Sequence, residues 1–167
     1  MCSPASFVLT ENNVYWSKLT DSHHEICEEN KLRDMFGGRP TLLKVEITPE
    51  DGDLSSDPAT WRFWFGQDIL PDWADRERDE ARTRLALRAW HAQKVISHGE
   101  IESLTEGEYY VRGNAVIKNV YGNATLEHVY GNATIKNVRD NATIGNVYDN
   151  ATLEHVYGNA TIKNVRD

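Results

Sequence analysis

The hydrophobic and polar positions follow different patterns in the two parts of the chain. From Gly113 to Asp167 one nine-residue pattern occurs six times with small changes, and Asp167 opens a seventh copy. The six copies begin at Gly113, Gly122, Gly131, Asp140, Asp149 and Gly158. A fixed short period indicates a stack of units, each of which buries its apolar side against its neighbours.

Each copy has three apolar positions, which in the third copy are Ala133, Ile135 and Val138. This spacing matches neither the strict alternation of a long strand nor the 3.6-residue period of a helix. Two polar pairs separate the apolar positions of each copy. The pair that opens the copy is Gly-Asn or Asp-Asn, and the pair before the Val is Lys-Asn, Glu-His or Gly-Asn. Such residues favour tight corners. The pattern therefore predicts a parallel β-solenoid with two short extended pieces in each copy.

The placement of charge indicates how many copies form one coil. Residues one coil apart lie about 4.8 Å from each other, and like charges placed opposite each other are unfavourable. A coil of three copies would place Lys136 on Lys163, whereas a coil of two copies places Lys136 beside Glu154. Two copies per coil also place Arg139 between two tyrosines, on which a guanidinium can stack. The sequence predicts 18 residues per coil and three coils from the six copies.

The last copy suggests a dimer. Natural solenoids usually close with an atypical capping unit, but the copy that reaches Asp167 is unaltered. An open coil presents unpaired backbone groups, and a second copy meeting it about a two-fold axis is the simplest way to pair them. We therefore expect a homodimer joined through the C-terminal coil. The residues expected at the dimer interface are Asn150, Thr152, Tyr157, Asn159, Thr161, Ile162, Val165 and Arg166.

The first 112 residues predict a small α+β domain. Ser22 followed by Glu25 is a capping-box pattern, which opens a helix extending to about Lys31. The other predicted elements are strands at 6–10, 14–18, 41–48, 61–65 and 108–111, and a helix from 74 to about 96. The predicted layout is an α+β domain over 1–112, capping the first coil, and a nonapeptide-repeat solenoid over 113–167.

Two patterns within this domain predict which side chains are buried. The apolar residues that share one face of the long helix, and are expected to face the core, are Leu85, Ala89, Ala92 and Ile96. Alternation along 61–65 sends Trp64 to the face opposite the other aromatic residues of that strand. An exposed Trp64 would be a candidate anchor for a binding partner.

Charge and composition narrow the class of function. The net charge of −8 arises within residues 1–112, because the repeats carry five Lys or Arg and five Asp or Glu. An acidic surface disfavours direct binding to nucleic acid and allows docking to a basic partner. No signal-peptide pattern and no apolar stretch of about 20 residues occurs, so we expect a cytoplasmic protein without membrane contact. Two cysteines do not form a disulfide framework.

Several segments of the chain resemble a family of uncharacterised bacteriophage and prophage proteins. The segments are Phe7-Val8-Leu9-Thr10, Val14-Tyr15-Trp16-Ser17-Lys18, Val45-Glu46-Ile47-Thr48-Pro49, Pro71-Asp72-Trp73 and the Asn-Ala-Thr repeats. In that family a small N-terminal domain is followed by short Ala-Thr-Val-type repeats. The resemblance covers nearly the whole chain and implies a phage or prophage origin, hence the host cytoplasm, and the same two-part layout. It brings no catalytic residues to this sequence.

The densest group of polar residues surrounds the start of the first helix. The group consists of Asp21, His23, His24 and Glu25, with Trp16 nearby. His23 and Cys27 are one helical turn apart and could supply two zinc ligands, but two ligands do not complete a site. We therefore expect no metal and no cofactor. A solvated helix N-terminus explains these residues best, and a binding surface is the alternative.

Two further patterns could support catalysis. Asp68 and Asp72 flank a proline turn and could act as an acid and base pair, although acidic residues at such turns are more often loop and cap residues. Cys2 would become an N-terminal nucleophile if Met1 were removed. Neither pattern is as specific as a phosphate-binding loop or a catalytic triad.

These features favour a non-enzymatic, phage-type protein-interaction module. Its acidic domain would engage a host or phage protein, in one version an element of a host defence system, and its solenoid would act as a dimerising spacer. One alternative is a small enzyme or nucleotide-binding protein with a pocket near Trp16, Asp21, His23 and Asp68. Another is a structural virion component. The candidate binding residues are Trp16, Asp21, His23, His24, Glu25, Trp64, Asp68 and Asp72.

Overall fold

A computed structural model describes residues 4–54 and 56–166 of the chain. The chain divides into two compact units, Met1–His91 and Ala92–Asp167. The first is a small α+β unit and the second is a parallel β-solenoid, which confirms the fold class that the sequence predicts.

The first unit is built on a four-stranded antiparallel sheet. Its elements are β1 (Ser6–Leu9), β2 (Val14–Tyr15), α1 (His23–Glu29), β3 (Met35–Phe36), β4 (Arg39–Pro40), β5 (Leu43–Thr48), a 3-10 turn at Pro58–Thr60, β6 (Arg62–Phe65) and α2 (Arg76–Lys94). The strand order in the sheet is β2-β1-β5-β6, and β3 pairs with β4 as a separate hairpin. Alternation buries Leu43, Val45 and Ile47 of β5 completely, as their spacing predicts.

Helix α1 begins where the capping pattern predicts. The hydroxyl of Ser22 accepts a hydrogen bond from the backbone N–H of Glu25 at 3.4 Å. Ile26 is fully buried and packs with Val8 and Leu42. The helix therefore covers part of one face of the sheet.

The face of α2 that is buried differs from the predicted one. Leu85 is 65% exposed, Ala89 and Ala92 are exposed too, and Ile96 lies beyond the helix in a later strand. The residues of α2 that are buried are Asp79, Thr83, Leu87, Trp90 and Lys94. The prediction from apolar spacing was wrong because charged and polar residues occupy most of the buried stripe.

Ion pairing explains how Asp79 can be buried. Its carboxylate lies 3.0 Å from the Nε of Arg78 and 3.0 Å from a terminal nitrogen of Arg82. It also accepts a hydrogen bond from the backbone N–H of Asp75 at 2.8 Å. A buried charge that is paired and hydrogen-bonded in this way is tolerated. The inward face of α2 is thus defined by specific polar contacts as much as by hydrophobicity.

The second unit consists of two parallel sheets that enclose one apolar core. Its strands are β7 (Val95–Ile96), β8 (Glu100–Leu104), β9 (Glu108–Val111), β10 (Val116–Val120), β11 (Thr125–Val129), β12 (Thr134–Val138), β13 (Thr143–Val147), β14 (Thr152–Val156) and β15 (Thr161–Val165). The sheet orders are β14-β12-β10-β8 and β15-β13-β11-β9-β7. Paired residues of the repeats, such as Ile117 and Ile135, are 18 positions apart, so the predicted coil size is confirmed.

The solenoid begins before the repeats do. The six copies supply the three predicted coils, β10 to β15, and the strands between Val95 and Val111 extend the solenoid to about four turns. This earlier segment lacks the nonapeptide sequence, but Leu104, Tyr109 and Val111 supply the buried apolar side chains that stacking requires. Backbone pairing does not depend on sequence identity, so the repeat boundary at Gly113 does not mark the start of the solenoid.

Each nonapeptide forms one strand and one corner, rather than two short extended pieces. In β12 the strand runs without a break from Thr134 to Val138, with Ile135 and Val138 inward and Lys136 and Asn137 outward. The predicted corner at Lys-Asn was therefore wrong, because the two outward residues lie within the strand. Each coil consequently has two strands and two corners.

Left-handed backbone at the corners explains the Gly or Asp that opens each copy. Gly131 has φ +72°, and Asp140 and Asp149 have φ 59° and 57°. Aspartate tolerates this conformation better than most residues. The Asp140 and Asp149 carboxylates also accept hydrogen bonds from the backbone N–H groups of Gly122 and Gly131, at 3.4 and 3.2 Å. An aspartate at a corner thus hydrogen-bonds to the backbone of the corresponding corner in the preceding coil.

Candidate functional site

A cleft of about 510 Å³ lies beside α1. The cleft is lined by Ser22, His23, His24, Cys27, Glu28, Lys31, Leu32, Asp34 and Lys44. Burial raises the pKa of the Cys27 thiol, the Asp34 carboxylate raises it further, and Lys44 opposes this effect. The same Asp34 and Lys44 form an ion pair with each other. A thiol held in its protonated form is a poor nucleophile and a poor metal ligand.

Two of the predicted binding residues belong to the packed interior. Asp21 and His23 are 8% and 7% exposed. The Oδ1 atom of Asp21 accepts hydrogen bonds from the indole Nε1 of Trp90 at 2.9 Å and from the backbone N–H of Ser6 at 3.3 Å. The Nε2 atom of His23 lies 3.1 Å from the carbonyl oxygen of Val45. These contacts join Asp21 and the first residue of α1 to the sheet and to α2.

The remaining residues of the predicted polar group are more accessible. His24 is exposed and lies 3.5 Å from Glu28, Glu25 accepts a hydrogen bond from Thr20, and Trp16 is half-buried. The structure therefore places these residues on the surface around α1 and leaves Asp21 inside.

The predicted enzyme pocket is only partly assembled. Of the four residues predicted to line it, His23 lines the cleft beside α1, whereas Trp16, Asp21 and Asp68 do not. Within residues 4–54 and 56–166 no group of three or more His, Cys, Asp or Glu could hold a metal ion. Cys2, the other candidate nucleophile, lies outside the described residues.

Trp64 is exposed on β6, as the alternation predicts. The side chain is 40% exposed, and its indole Nε1 donates a hydrogen bond to the hydroxyl of Thr48 at 3.1 Å. The guanidinium of Arg62 lies 4.2 Å from the centre of the Trp64 ring, where the ring face attracts a cation. Trp64 is therefore held in one orientation on the open face of the sheet.

A second exposed apolar surface, which we call the hairpin surface, lies at the β3–β4 hairpin. Met35, Phe36 and Ile69 are 59%, 83% and 73% exposed. The ion pair between Arg39 and Asp72, at 2.7 Å, joins the hairpin to the loop that carries Ile69. Asp68 is exposed in this same loop. Of the two acidic residues predicted here, Asp72 forms an ion pair on the surface.

The hairpin surface was missed at the level of sequence, although a signal for it is present. Gly37 and Gly38 have φ +59° and +78°, and they form a two-residue turn between β3 and β4. A Gly-Gly pair between short runs is a recognised hairpin signal. The Gly-Gly pair therefore predicts a hairpin here, with Phe36 beside the turn.

The coil formed by β14 and β15, which we call the terminal coil, exposes apolar side chains that the other coils bury. Val156 and Val165 are 41% and 68% exposed, whereas the equivalent Val129 and Val138 are fully buried. Within the described residues β14 pairs only with β12, and β15 only with β13, so each has one unpaired edge. The predicted interface residues of this coil are exposed except Ile162, which is half-buried; the exposed ones are Asn150, Thr152, Tyr157, Asn159, Thr161, Val165 and Arg166.

Polar columns run along the outside of the solenoid. The Asn132 and Asn150 side chains donate to Asn114 and Asn132 at 3.4 and 3.5 Å, which forms a column of asparagine side chains along the stack. A shorter bond, 3.0 Å, links Asn164 to Asn146 within the strands, where the sequence had suggested a corner. These amide contacts supplement the backbone pairing of successive coils.

Aromatic and cationic side chains also stack between coils. Arg139 lies 4.7 Å from the ring centre of Tyr121, one of the two tyrosines between which the sequence placed it. His128 stacks with Tyr110, Tyr130 and Tyr148 at centroid distances of 5.9, 5.7 and 6.1 Å. The stacked rings make His128 part of the packing and not a solvated corner residue.

The buried state of His128 predicts a pH dependence of solenoid stability. Burial lowers the pKa of His128 below its ordinary value of 6.5, an effect that Glu127 partly opposes. The unfolded chain then binds a proton more readily than the folded chain, so this contribution is complete above pH 6.5 and declines as the pH falls. Protonation would also remove the acceptor at Nδ1, which lies 3.4 Å from the amide nitrogen of Asn146.

The test compares unfolding midpoints of the wild type and His128→Asn at pH 7 and pH 5.5. Asparagine occupies the equivalent position in other copies, so the variant should fold. We expect a smaller loss of stability on acidification for the variant than for the wild type. Equal losses would show that His128 does not couple protonation to folding.

The fold and its surfaces define this chain as a parallel β-solenoid protein with an α+β N-terminal unit. The chain matches no family model, no curated protein and no solved structure. Neither helix in the described ranges has the length and apolar character needed to cross a membrane.

Proposed function

We propose that this chain is a non-enzymatic protein-interaction module in which the terminal coil joins two copies. The observation that supports the proposal is that, within residues 4–54 and 56–166, Val156 and Val165 are exposed and β14 and β15 each pair on one side only. In the interior of the solenoid, the valines at the equivalent positions are covered by the next coil. Exposed apolar residues next to unpaired backbone groups favour association with another strand-forming surface.

A second copy of the chain fits this surface best. Each coil of the solenoid already packs against a coil of similar sequence, so the chemistry that covers Val129 and Val138 inside one molecule is present on a second one. A two-fold arrangement satisfies both copies at once and stops at a dimer.

The first unit would bind the functional partner. Its excess of acidic residues favours a protein with a basic surface. The hairpin surface, with Phe36 and Ile69 most exposed, and the exposed Trp64 offer apolar contacts of the kind that anchor protein interfaces. The resemblance to phage proteins supports the further proposal that this partner is a host or phage protein, for instance one of a host defence system, met in the host cytoplasm.

The test of the dimer is the mass of the full chain in solution, measured by light scattering on a size-exclusion column. We expect about twice the chain mass of 19.0 kDa. The double variant Val156→Lys with Val165→Lys places two charges on the exposed cross-section and should be a monomer. The matched control is Asn123→Lys with Asn132→Lys, which adds two charges at exposed corners of interior coils and should remain a dimer.

A monomeric wild type at tens of micromolar would overturn the proposal. So would a double Val variant that keeps the dimeric mass, because the interface would then lie elsewhere. Far-UV circular dichroism of each variant establishes that the monomer is folded.

A further inference from the structure

We propose that Gly145 compensates for a one-residue mismatch between β9 and the first repeat strand that pairs with it. The two features lie at the junction between the part of the solenoid that lacks the nonapeptide sequence and the part that has it. All of the residues involved lie between positions 108 and 147, so the inference does not depend on the proposed dimer.

Gly145 is an exception within the repeats. It stands at the sixth position of its copy, and the other five copies have a long charged residue there. Those residues are Lys118, Glu127, Lys136, Glu154 and Lys163. Glycine in the interior of a strand weakens it and often marks a bulge or a close approach of backbone. The exception therefore indicates a local requirement at β13.

The mismatch lies in the strand pair before β13 in the same sheet. Strand β9 has four residues, whereas β11 has five. Tyr109 lies opposite Leu126 and Tyr110 lies opposite His128, so Glu127 has no opposite residue in β9. An extra residue of this kind forms a β-bulge, which bends the strand that carries it. The backbone of β11 is therefore irregular at Glu127.

Gly145 is the neighbour of Glu127 in the next coil. Strands β11 and β13 pair so that Leu126 lies opposite Ile144 and His128 lies opposite Asn146. A Cβ atom at position 145 would lie 2.5 Å from the carbonyl oxygen of Glu127 and 3.2 Å from its Cα. These are backbone atoms, which cannot rotate away as the end of a side chain can. The φ of Gly145 is outside the left-handed region, so the position requires space rather than backbone freedom.

The other sheet of the solenoid provides an internal comparison. Strand β8 has five residues, and it pairs with β10 without a shift of register. In the following coil Lys136 occupies the place beside Lys118 that Gly145 occupies beside Glu127. The repeat thus accepts a lysine where the preceding strand pair is regular and has a glycine where that pair contains a bulge. We infer that the short β9 is what makes glycine necessary at position 145.

The first test is the sign of the effect of Gly145→Ala on stability. At an unconstrained strand position alanine stabilises relative to glycine, because glycine loses more conformational freedom on folding. We expect Gly145→Ala instead to lower the urea midpoint and the folding equilibrium constant, the latter about tenfold or more, as overpacking does. Lys136→Ala, which keeps a Cβ at the equivalent place, is the matched control and should change the midpoint little. An unchanged or raised midpoint for Gly145→Ala would overturn the proposal.

The second test removes the proposed cause. Insertion of one threonine between Tyr109 and Tyr110 gives β9 the five residues of β11 and keeps both tyrosines opposite their present partners. The inserted chain should remain folded by far-UV circular dichroism, and Gly145→Ala should then be nearly neutral or stabilising. An equal cost of Gly145→Ala with and without the insertion would refute the link to β9. Failure of the inserted chain to fold would refute it too, since the insertion is proposed to make the pairing regular.

All of these chains are compared at one protein concentration, so that association contributes equally. The Val156→Lys, Val165→Lys variant provides a background in which the proposed dimer is absent. The coupling between the insertion and Gly145→Ala should be the same there as in the wild type. Coupling that disappears in that background would contradict the inference, because the bulge and Gly145 lie within one copy of the chain.

Discussion

Replacing Glu108 by glutamine is expected to destabilise the solenoid by about 3 kcal/mol, since removing one charge of a buried ion pair is strongly destabilising. The Nζ atom of Lys94 lies 3.1 Å from Oε1 of Glu108, and the Lys94 side chain is completely buried. Tyr110 donates a hydrogen bond to the same oxygen at 3.1 Å. Glutamine keeps the shape and the acceptor, so the variant removes mainly the charge.

Urea unfolding followed by far-UV circular dichroism measures this effect. Glu102→Gln is the matched control, because Glu102 pairs with Lys118 at 2.8 Å on the surface and should change the midpoint little. Removing the other charge as well, in Lys94→Met with Glu108→Gln, should recover part of the loss. Equal midpoints for Glu108→Gln and Glu102→Gln would contradict the assigned importance of the Lys94 ion pair.

Leu126→Ala is expected to cost about 3 kcal/mol, because the side chain is fully buried and its removal leaves a cavity in the solenoid core. The chain contains its own control. Residues 123–140 and 150–167 are identical, so Leu153 has the same sequence context in the terminal coil. Leu153 is only partly buried in a single copy, and Leu153→Ala should therefore cost less than Leu126→Ala.

The stability cost of Leu153→Ala is expected to depend on protein concentration if the chain forms the proposed dimer. In the proposed dimer a second copy covers Leu153, so its truncation should become more costly as the concentration rises through the dissociation constant. The cost of Leu126→Ala should not change in this way. Urea titrations at low and high protein concentration measure both differences. If Leu153→Ala costs the same at every concentration, the terminal coil does not lie at the interface.

Much of the solenoid could be predicted because the repeat encodes it several times. The apolar spacing, as in Ala133, Ile135 and Val138, indicated a stack, and charge placement at Lys136 and Arg139 identified 18 residues per coil. The first coil could not be predicted from repeats, because residues 95–111 reach the same pairing with an unrelated sequence. Strand pairing constrains the backbone more than it constrains the side chains.

The errors in the first unit have a common physical cause. Helix α2 buries Asp79 and Lys94 and exposes Leu85, because specific ion pairs outweigh hydrophobicity at those positions. Sequence spacing cannot identify such pairs when the partner, as with Glu108, lies outside the helix. Asp21 and His23 were likewise interpreted as surface groups, although hydrogen bonds to Trp90 and Val45 hold them inside.

The duplicated 18-residue segment has a consequence for how the length of such a chain can change. Its two copies start three repeats apart, so Thr125–Val129 lies in the five-stranded sheet and the identical Thr152–Val156 lies in the four-stranded sheet. The same peptide can therefore form a strand in either of the two sheets of the solenoid. Gain or loss of a single nonapeptide would move every later strand to the opposite side while preserving its inward residues. Unequal recombination within the repeats can therefore lengthen or shorten the protein in half-turn steps without redesigning its core.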